Sequence, residues 1–481
     1  MNAGSTVPDG APARLVKAYE EAHQEHVFRF WGDLDEQQRR AFSLQLRDID
    51  LHTAGELASG KFTGKDGPVT DRRPAPVLKL GEEPSFSTRA HALETGKELL
   101  AAGQVGVYLV AGGQGSRLGF DGPKGCLPVG VLSNKSLFQL HAEKIAALSS
   151  TYGVRIPWYI MTSIANDAVT RSFFEKHSYF TLRPDDVFFL PQDMLPALDD
   201  RGKMILESKG RIFVSPNGHG GAFEAFRSGG GLEDAERRGL EQLFYFQVDN
   251  PLVRVADPVF LGLHALSSSE MSLKVLRKTD PAEKVGVVAM EGAQFKLVEY
   301  SDLSSEEAER RGADGEIAYW AGNIAIHAFS LSFFRRVAGG EIRLPYHVGR
   351  KFVPTVDENG QPTKVEARKY ETFVFDAMPF ARKCLNVEVR RAEEFGPVKN
   401  KTGVDSLDSA REMLVTEHRR WLSKAGVEAK AKVEVSPLAA LSAAELEERL
   451  VLEETSSPTF SVDVRVDQDA DGRVRVHAVG C

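Results

Sequence analysis

Apolar positions along this chain of 481 residues change period from one stretch to the next. Over residues 11–58, Leu15, Tyr19, His23, Val27, Phe28 and Trp31 recur near every fourth position, the spacing of amphipathic helices. Residues 59–85 are rich in Gly, Pro and Arg and predict an extended connection. A helix at about 87–102 then leads into VGVYLVA at 105–111, an apolar run that predicts a buried strand. The same alternation continues with a helix at 136–150, a strand at 156–162 (IPWYIMT), a helix at 165–177 and a strand at 186–190 (DVFFL). Later come a strand at 243–248 (LFYFQV) and a helix at 257–268. Apolar strands alternating with helices imply an α/β fold, its sheet mixed but mainly parallel and covered on both faces. Residues 285–300 (VGVVAMEGAQFKLVEY) predict instead a hairpin turning at Glu291–Gly292. The tail from about 390 is helical and ends in two alternating segments, SVDVRV and RVRVHAV.

Ligands of such sheets sit beyond the carboxyl ends of the strands. That rule predicts one rim shared by the loop after VGVYLVA, by Met161-Thr162-Ser163, and by Asp249 at the end of LFYFQV. The loop region, LVAGGQGSRLGFDGPKGCLPVG at 109–130, holds seven glycines, two prolines, one arginine (Arg117) and one lysine (Lys124). It is not a Walker A loop, because Pro123 separates Gly122 from Lys124 and Gly125 stands where a hydroxyl is required. It misses the dinucleotide fingerprint by one residue, since Gly119 arrives late after Gly113 and Gly115. The physics of a phosphate cradle still applies. Bare backbone lets N–H groups approach anionic oxygens, Arg117 offers a planar fork, and Lys124 supplies a point charge. The plain alternative is a tight turn with no ligand.

Charge sharpens this reading. The net charge is −8 and 27% of residues are charged, so a broad footprint for nucleic acid is excluded and any anion must be met by local cations. Cys126, Cys384 and Cys481 lack metal-ligand spacing and a disulfide pattern, which predicts a reducing, cytoplasmic setting. The first residues carry no continuous apolar stretch of a secretory signal, and no run approaches the ~20 residues that span a bilayer.

Beyond the loop, a series of blocks resembles the eukaryotic-type UDP-sugar pyrophosphorylase family, and within it the UDP-N-acetylhexosamine branch. They are LVAGGQGSRLGFDGPKG, SLFQLHAEKI, MTS, MLPALDDRGKMILESKGRI, PNGHGG, VDNPLVRVADPVFLG, KLVEYSDL, AGNIAIHAFS, FVFDAMPFA and EEFGPVKN, in the family's order between residues 87 and 400. The resemblance implies a Rossmann-like nucleotide-diphospho-sugar transferase (GT-A-like) domain over 87–389. It further implies a helical N-terminal region at 1–86 and a small α+β C-terminal region at 390–481. The implied reaction joins UTP and a sugar 1-phosphate, first of all N-acetylglucosamine 1-phosphate, into a UDP-sugar and pyrophosphate with Mg²⁺.

Carried over position by position, Val110, Ala111, Gly112 and Gly113 match the backbone that meets the nucleotide. Arg117 and Lys124 match the cationic pair on the triphosphate, and Gln192 and Gly218 match the readers of uracil. Asp249 matches the acidic residue near phosphates and metal, with Asp376 a possible second carboxylate. Glu299, Tyr300 and Asn323 match sugar-pocket positions, and Lys369 and Lys399 match two further phosphate-binding lysines.

Two departures stand out. The usual PDGNGG is here PNGHGG, which puts His219 at the sugar site and keeps glucose 1-phosphate open as the acceptor. The C-terminal region is also short. The chemistry suits the residue types. A sugar 1-phosphate is already an oxyanion, so catalysis reduces to positioning and charge stabilisation, with no need of a nucleophilic side chain. A nucleotide-sugar sensor without catalysis is the alternative of a different class, and a nicotinamide dehydrogenase is disfavoured by the displaced glycine. Residues 467–472 (DQDADG) open like a calcium loop, but Ala478 stands where the twelfth-position Glu belongs, which predicts a hairpin turn.

Overall fold

The computed structural model describes residues 9–61, 71–450 and 459–479; Cys481 and positions 62–70 of the expected connection lie outside them. The chain divides into two units. One gathers the described part of Met1–Val69 with Gln192–Ala222 and Arg343–Asp376. The other is formed by Thr70–Pro191, Phe223–Ile342 and Ala377–Cys481.

The second unit follows the alternation of the sequence. Helix α1 (Arg89–Ala101) is capped by the Thr88 side chain, which accepts from His91 N–H, and leads into β1 (Val105–Val110). Helix α2 (Leu137–Tyr152) starts at a Ser136 cap and stops at Gly153, whose φ of 66° only glycine adopts cheaply. Strand β2 (Trp158–Ser163), helix α3 (Asp167–Lys176), β3 (Val187–Gln192), β4 (Gln242–Gln247) and α4 (Pro258–Leu266) come next. Then follow β5 (Met271–Arg277), β6 (Val287–Glu291), β7 (Gln294–Val298), β8 (Ala321–Ser330), β9 (Cys384–Glu388) and α5 (Leu407–Lys424).

With the short strand Arg72–Pro74 these make one ten-stranded sheet, in the order Arg72–Pro74, β6, β8, β4, β1, β2, β3. Strand β7 pairs β6, β5 pairs β8, and β9 pairs β5. The fold is mixed α/β with a mostly parallel central sheet. Strand β1 runs parallel to both β2 and β4, whereas β8 runs antiparallel to β4 and to β5. The expected hairpin is present as β6–β7, turning through Gly292 at φ 58°.

The central strands are continuous apolar runs because both faces are covered. One face packs Val107, Leu109, Ile145, Trp158, Phe246 and Leu261; on the other, Tyr108 and Tyr159 meet Phe226, and Phe334 closes on Tyr108. Helices α1 and α4 approach so closely that a Cβ on Gly96 would lie 1.8 Å from the Pro258 carbonyl oxygen. A Cβ on Gly262 would lie 1.7 Å from that of Ala92. Helix α5 packs against a three-stranded sheet, Val433–Val435, Asp463–Gln468 and Val474–Val479. The DQDADG stretch there is a hairpin turn, with Asp469 Oδ1 accepting from the N–H groups of Asp471 and Arg473.

In the first unit, helices Ala13–Glu21, Glu36–Asp48 and Leu51–Ala58 bury Tyr19, Trp31, Phe42 and Leu46 against Leu198, Ile212 and Tyr370. The periodicity of residues 15–31 is not one helix. His23 turns out at φ 56°, and Val27, Phe28 and Trp31 then ride on single 3₁₀ turns, Glu25–Phe28 and Trp31–Asp33. The buried side chains keep a helical rhythm because the turns present them to the same core. The hairpin His347–Val356 with Pro362–Glu371 completes the unit. Among the described residues, no helix is long and apolar enough to cross a membrane.

Candidate active site

The parallel trio β4–β1–β2 brings three carboxyl ends to one rim, where Val110 stands level with Met161 on β2 and with Gln247 on β4. From this rim rises the glycine loop. It is folded back on itself, since Gly115 N–H donates to Gly122 O at 2.9 Å and Lys124 N–H to Gly113 O at 3.0 Å. Gly119 (φ 76°) and Gly122 (φ 132°) take backbone conformations that residues with a side chain rarely adopt, and a Cβ on Gly125 would strike the Phe138 ring at 2.2 Å. These are the constraints that the glycine spacing records.

Ala111 N–H continues the ladder to Met161 O at 2.8 Å. After it, among the described residues, the N–H groups of Gly112, Gly113 and Gln114 find no backbone acceptor, so three successive donors are left for an anion. Arg117, on a single 3₁₀ turn, is exposed and makes no ion pair among the described residues. Lys124 reaches back to the next strand end, with its Nζ 3.4 Å from Asp249 Oδ2. Asp249 is 7% exposed. Cations, bare backbone and one carboxylate thus meet at the end of β1 and β4.

Several residues that sequence reasoning passed over hold this rim. Asn166, fully buried, donates to Ala111 O at 2.9 Å and accepts from Ser163 N–H at 2.8 Å, tying the loop's first residue to the end of β2. Asn250 does the same for the next loop: its Nδ2 donates to Glu394 O at 2.7 Å and its Oδ1 accepts from Gly396 N–H at 3.1 Å. Val398 N–H then donates to Asp249 O at 2.9 Å, which sets the segment carrying Lys399 beside Asp249. From α2, His141 Nε2–H donates to Val248 O at 3.1 Å, and Lys144 Nζ to Pro251 O and Val253 O at 2.6 and 2.8 Å. Burial pushes the His141 imidazole down to about 3 and the Lys144 ammonium to about 7. The only sequence signal for these residues is their spacing of three on one helix face.

Lys399 itself is exposed; its Nζ lies 5.3 Å from the Phe395 ring centroid, and its N–H donates to Asp405 O at 2.6 Å. Glu299 and Tyr300 follow the end of β7, Tyr300 being 47% exposed. Asn323 lies near the start of β8, where its Oδ1 accepts from Ala325 N–H at 3.1 Å and supports a bulge with Ala325 at φ 56°.

Gln192, Gly218, His219 and Lys369 belong to the first unit. Gln192 is buried, and among the described residues its carboxamide oxygen has no hydrogen-bond partner. Gly218 sits at φ 75°, and a Cβ there would lie 2.5 Å from Thr372 O. The next residue, His219, is half-buried: Nδ1 accepts from Val374 N–H at 3.1 Å and the ring stacks on Phe373. Burial first, then the neighbouring His347, depresses its pKa to about 4, so the ring is neutral with its proton on Nε2. Lys369 lies opposite Gly349 on the hairpin, and burial lowers its pKa. Asp376 accepts from His347 Nε2 at 2.8 Å. Among the described residues, no group of three or more His, Cys, Asp or Glu side chains is placed to hold a metal.

The chain matches the family of UTP–glucose-1-phosphate uridylyltransferases over residues 82–448. A human UDP-N-acetylhexosamine pyrophosphorylase-like protein 1 is 40% identical over 435 residues, 86% of this chain and 85% of that protein. UDP-N-acetylglucosamine diphosphorylase 2 of Arabidopsis thaliana is 36% identical over 439 residues, 87% and 86% of the two chains. Among solved structures, the uridine diphosphate N-acetylglucosamine pyrophosphorylase of Trypanosoma brucei, in complex with an inhibitor, superposes with a TM-score of 0.79 at 26% identity. It covers 94% of this chain and 99% of that one.

Proposed function

The chain belongs to the UTP–glucose-1-phosphate uridylyltransferase family, and we propose that its own acceptor is N-acetylglucosamine 1-phosphate, which it joins to UTP to give the UDP-sugar and pyrophosphate. The observation that carries the choice of sugar is the set of relatives named for N-acetylhexosamine or N-acetylglucosamine at 36–40% identity over most of the chain. The sheet is read as a Rossmann-like, GT-A-like transferase domain, supported by the parallel trio β4–β1–β2 with its loops at the carboxyl rim.

In this reading the free N–H groups of Gly112, Gly113 and Gln114, with Val110 and Ala111 below them, seat the triphosphate. Arg117 and Lys124 stabilise charge as pyrophosphate leaves, and Lys399 and Lys369 add positive charge to the phosphates. The 1-phosphate attacks the α-phosphorus in line as an oxyanion, so no side chain needs to take a proton from it. Gln192, whose buried oxygen lacks a partner, and Gly218 read the uracil. Glu299, Tyr300 and Asn323 are the sugar-pocket positions of the second unit, and His219 is that of the first.

Mg²⁺ fits the donor set, because it takes one or two carboxylates and completes its shell with phosphate oxygens and water. Asp249, at the end of β4, is the carboxylate that would hold it, and when bound the ion would neutralise phosphate charge. Cys126 and Cys384 are free thiols, which suits a cytoplasmic enzyme.

The test is pyrophosphate release from UTP and Mg²⁺ with separate sugar 1-phosphates. Highest turnover is expected with N-acetylglucosamine 1-phosphate. Equal or better turnover of glucose 1-phosphate assigns His219 to the glucose specificity, and no pyrophosphate release with any of the sugar 1-phosphates leaves a nucleotide-sugar sensor.

A further inference from the structure

Within the second unit a cavity of about 420 Å³ lies among α1, α2, α5 and the segments around residues 251–259 and 435–445. That volume falls in the range of small-molecule sites. Its walls are mainly apolar, built by Leu93, Leu148, Val255, Leu414, Trp421 and Leu441. None of these residues carries a role in the nucleotide chemistry above.

The charged groups on the wall are unequal. Every acid has a partner: Asp257 pairs with Lys274 at 2.7 Å, Glu393 with Arg254 at 2.8 Å, Glu417 with Arg420 at 2.6 Å, and Glu445 with Arg449 at 2.9 Å. Lys97 pairs with Glu94 at 2.9 Å. His418 is held neutral by burial, and its Nδ1 accepts from Val435 N–H. Lys144 differs, because among the described residues it has no carboxylate within ion-pair distance, although the charge of buried Glu394 acts on it. Its ammonium donates to the Pro251 and Val253 carbonyls, and with three donors one remains unused. The Nε–H of Arg254 on the same wall is likewise buried without an acceptor among the described residues. Burial drives Lys144 towards its neutral form against the opposing charge of Glu394, and an anion at its unused donor would favour the charged form further.

We propose that this cavity is a binding site for a compact organic acid with an apolar, preferably aromatic, body, its carboxylate on Lys144 and its body against Leu148 and Trp421. The inference goes beyond the uridylyltransferase reading and does not depend on it.

Anilinonaphthalene sulfonate, an aromatic monoanion, serves as the probe on the full chain. Saturable one-site binding is expected, with energy transfer from Trp421 and no displacement by saturating UTP. Lys144→Met should weaken it about tenfold, the scale of one charge-assisted hydrogen bond, while Lys144→Arg keeps most of it. Leu148→Trp, which fills the cavity and leaves the charge in place, should abolish it. Naphthoate should displace the probe where the corresponding uncharged alcohol does not. Absent or unsaturable binding, unchanged affinity in Leu148→Trp, or equal displacement by acid and alcohol would each overturn the proposal.

Discussion

At the scale of single residues, the two cations of the glycine loop differ in their surroundings. Arg117 is exposed and without an ion pair among the described residues, whereas Lys124 already leans on Asp249 at 3.4 Å. In the proposed role Arg117 would meet a phosphate without breaking an ion pair, whereas Lys124 would exchange its contact with Asp249 for one. Arg117→Ala and Lys124→Ala are each expected to lower kcat by more than about tenfold, because each removes charge stabilisation that grows as pyrophosphate leaves. Steady-state kinetics on both variants checks this, and normal turnover in both would show that neither cation acts on the triphosphate. The glycines were legible in the sequence, since positive φ favours glycine and the Phe138 ring at Gly125 leaves no room for a side chain. Asn166 was not, because an asparagine before a helix reads as a local turn, and its bond to Ala111 spans 55 positions.

At the scale of elements, two loops and one helix pair decide the geometry. Asn250 clamps the end of β4 to the segment 394–398 through both atoms of its carboxamide. Asn250→Ala should therefore misplace Lys399 relative to Asp249. A fall in kcat of about tenfold is expected with little change in the KM for UTP, since small misplacements act on the transition state first. Equal loss of both parameters with a lowered unfolding midpoint would reduce Asn250 to a structural role. The α1–α4 contact makes a separate prediction. Gly96→Ala inserts a methyl group against the backbone of Pro258, which cannot yield as a side chain can, and should cost about 3 kcal/mol in urea unfolding. An unchanged midpoint would mean that the helices separate freely. Gly96 carried no signal in the sequence, where a glycine inside a helix reads only as a weak position.

At the scale of the whole molecule, burial sets the response to pH. His141 and His264 are both held near 3, far below the ordinary histidine value, by desolvation. A base whose folded pKa is depressed binds fewer protons folded than unfolded between the two values. Their stabilisation is complete above pH 6.5 and is lost as pH falls through the window towards 3, at up to about 1.4 kcal/mol per pH unit for each. The urea midpoint at pH 5 should thus lie below that at pH 7.5, a range above most carboxylate titrations. A flat midpoint across that range would contradict neutral burial of these rings. The two units give the molecule its other large-scale feature: Gln192–Ala222 and Arg343–Asp376 leave the order of the chain and join the N-terminal helices.

The sequence by itself determined the strand–helix alternation, the rim at the strand ends, and the cationic glycine loop, because periodicity and backbone sterics are local and leave their mark on neighbouring residues. Family likeness added the reaction. Tertiary structure alone decided that β8 runs against β4, that Asn250 and Lys144 hold the loop after Asp249, and that His219 gives one ring nitrogen to Val374, 155 positions away. Such pairings depend on which backbone groups burial leaves without water, and no spacing along the chain encodes them.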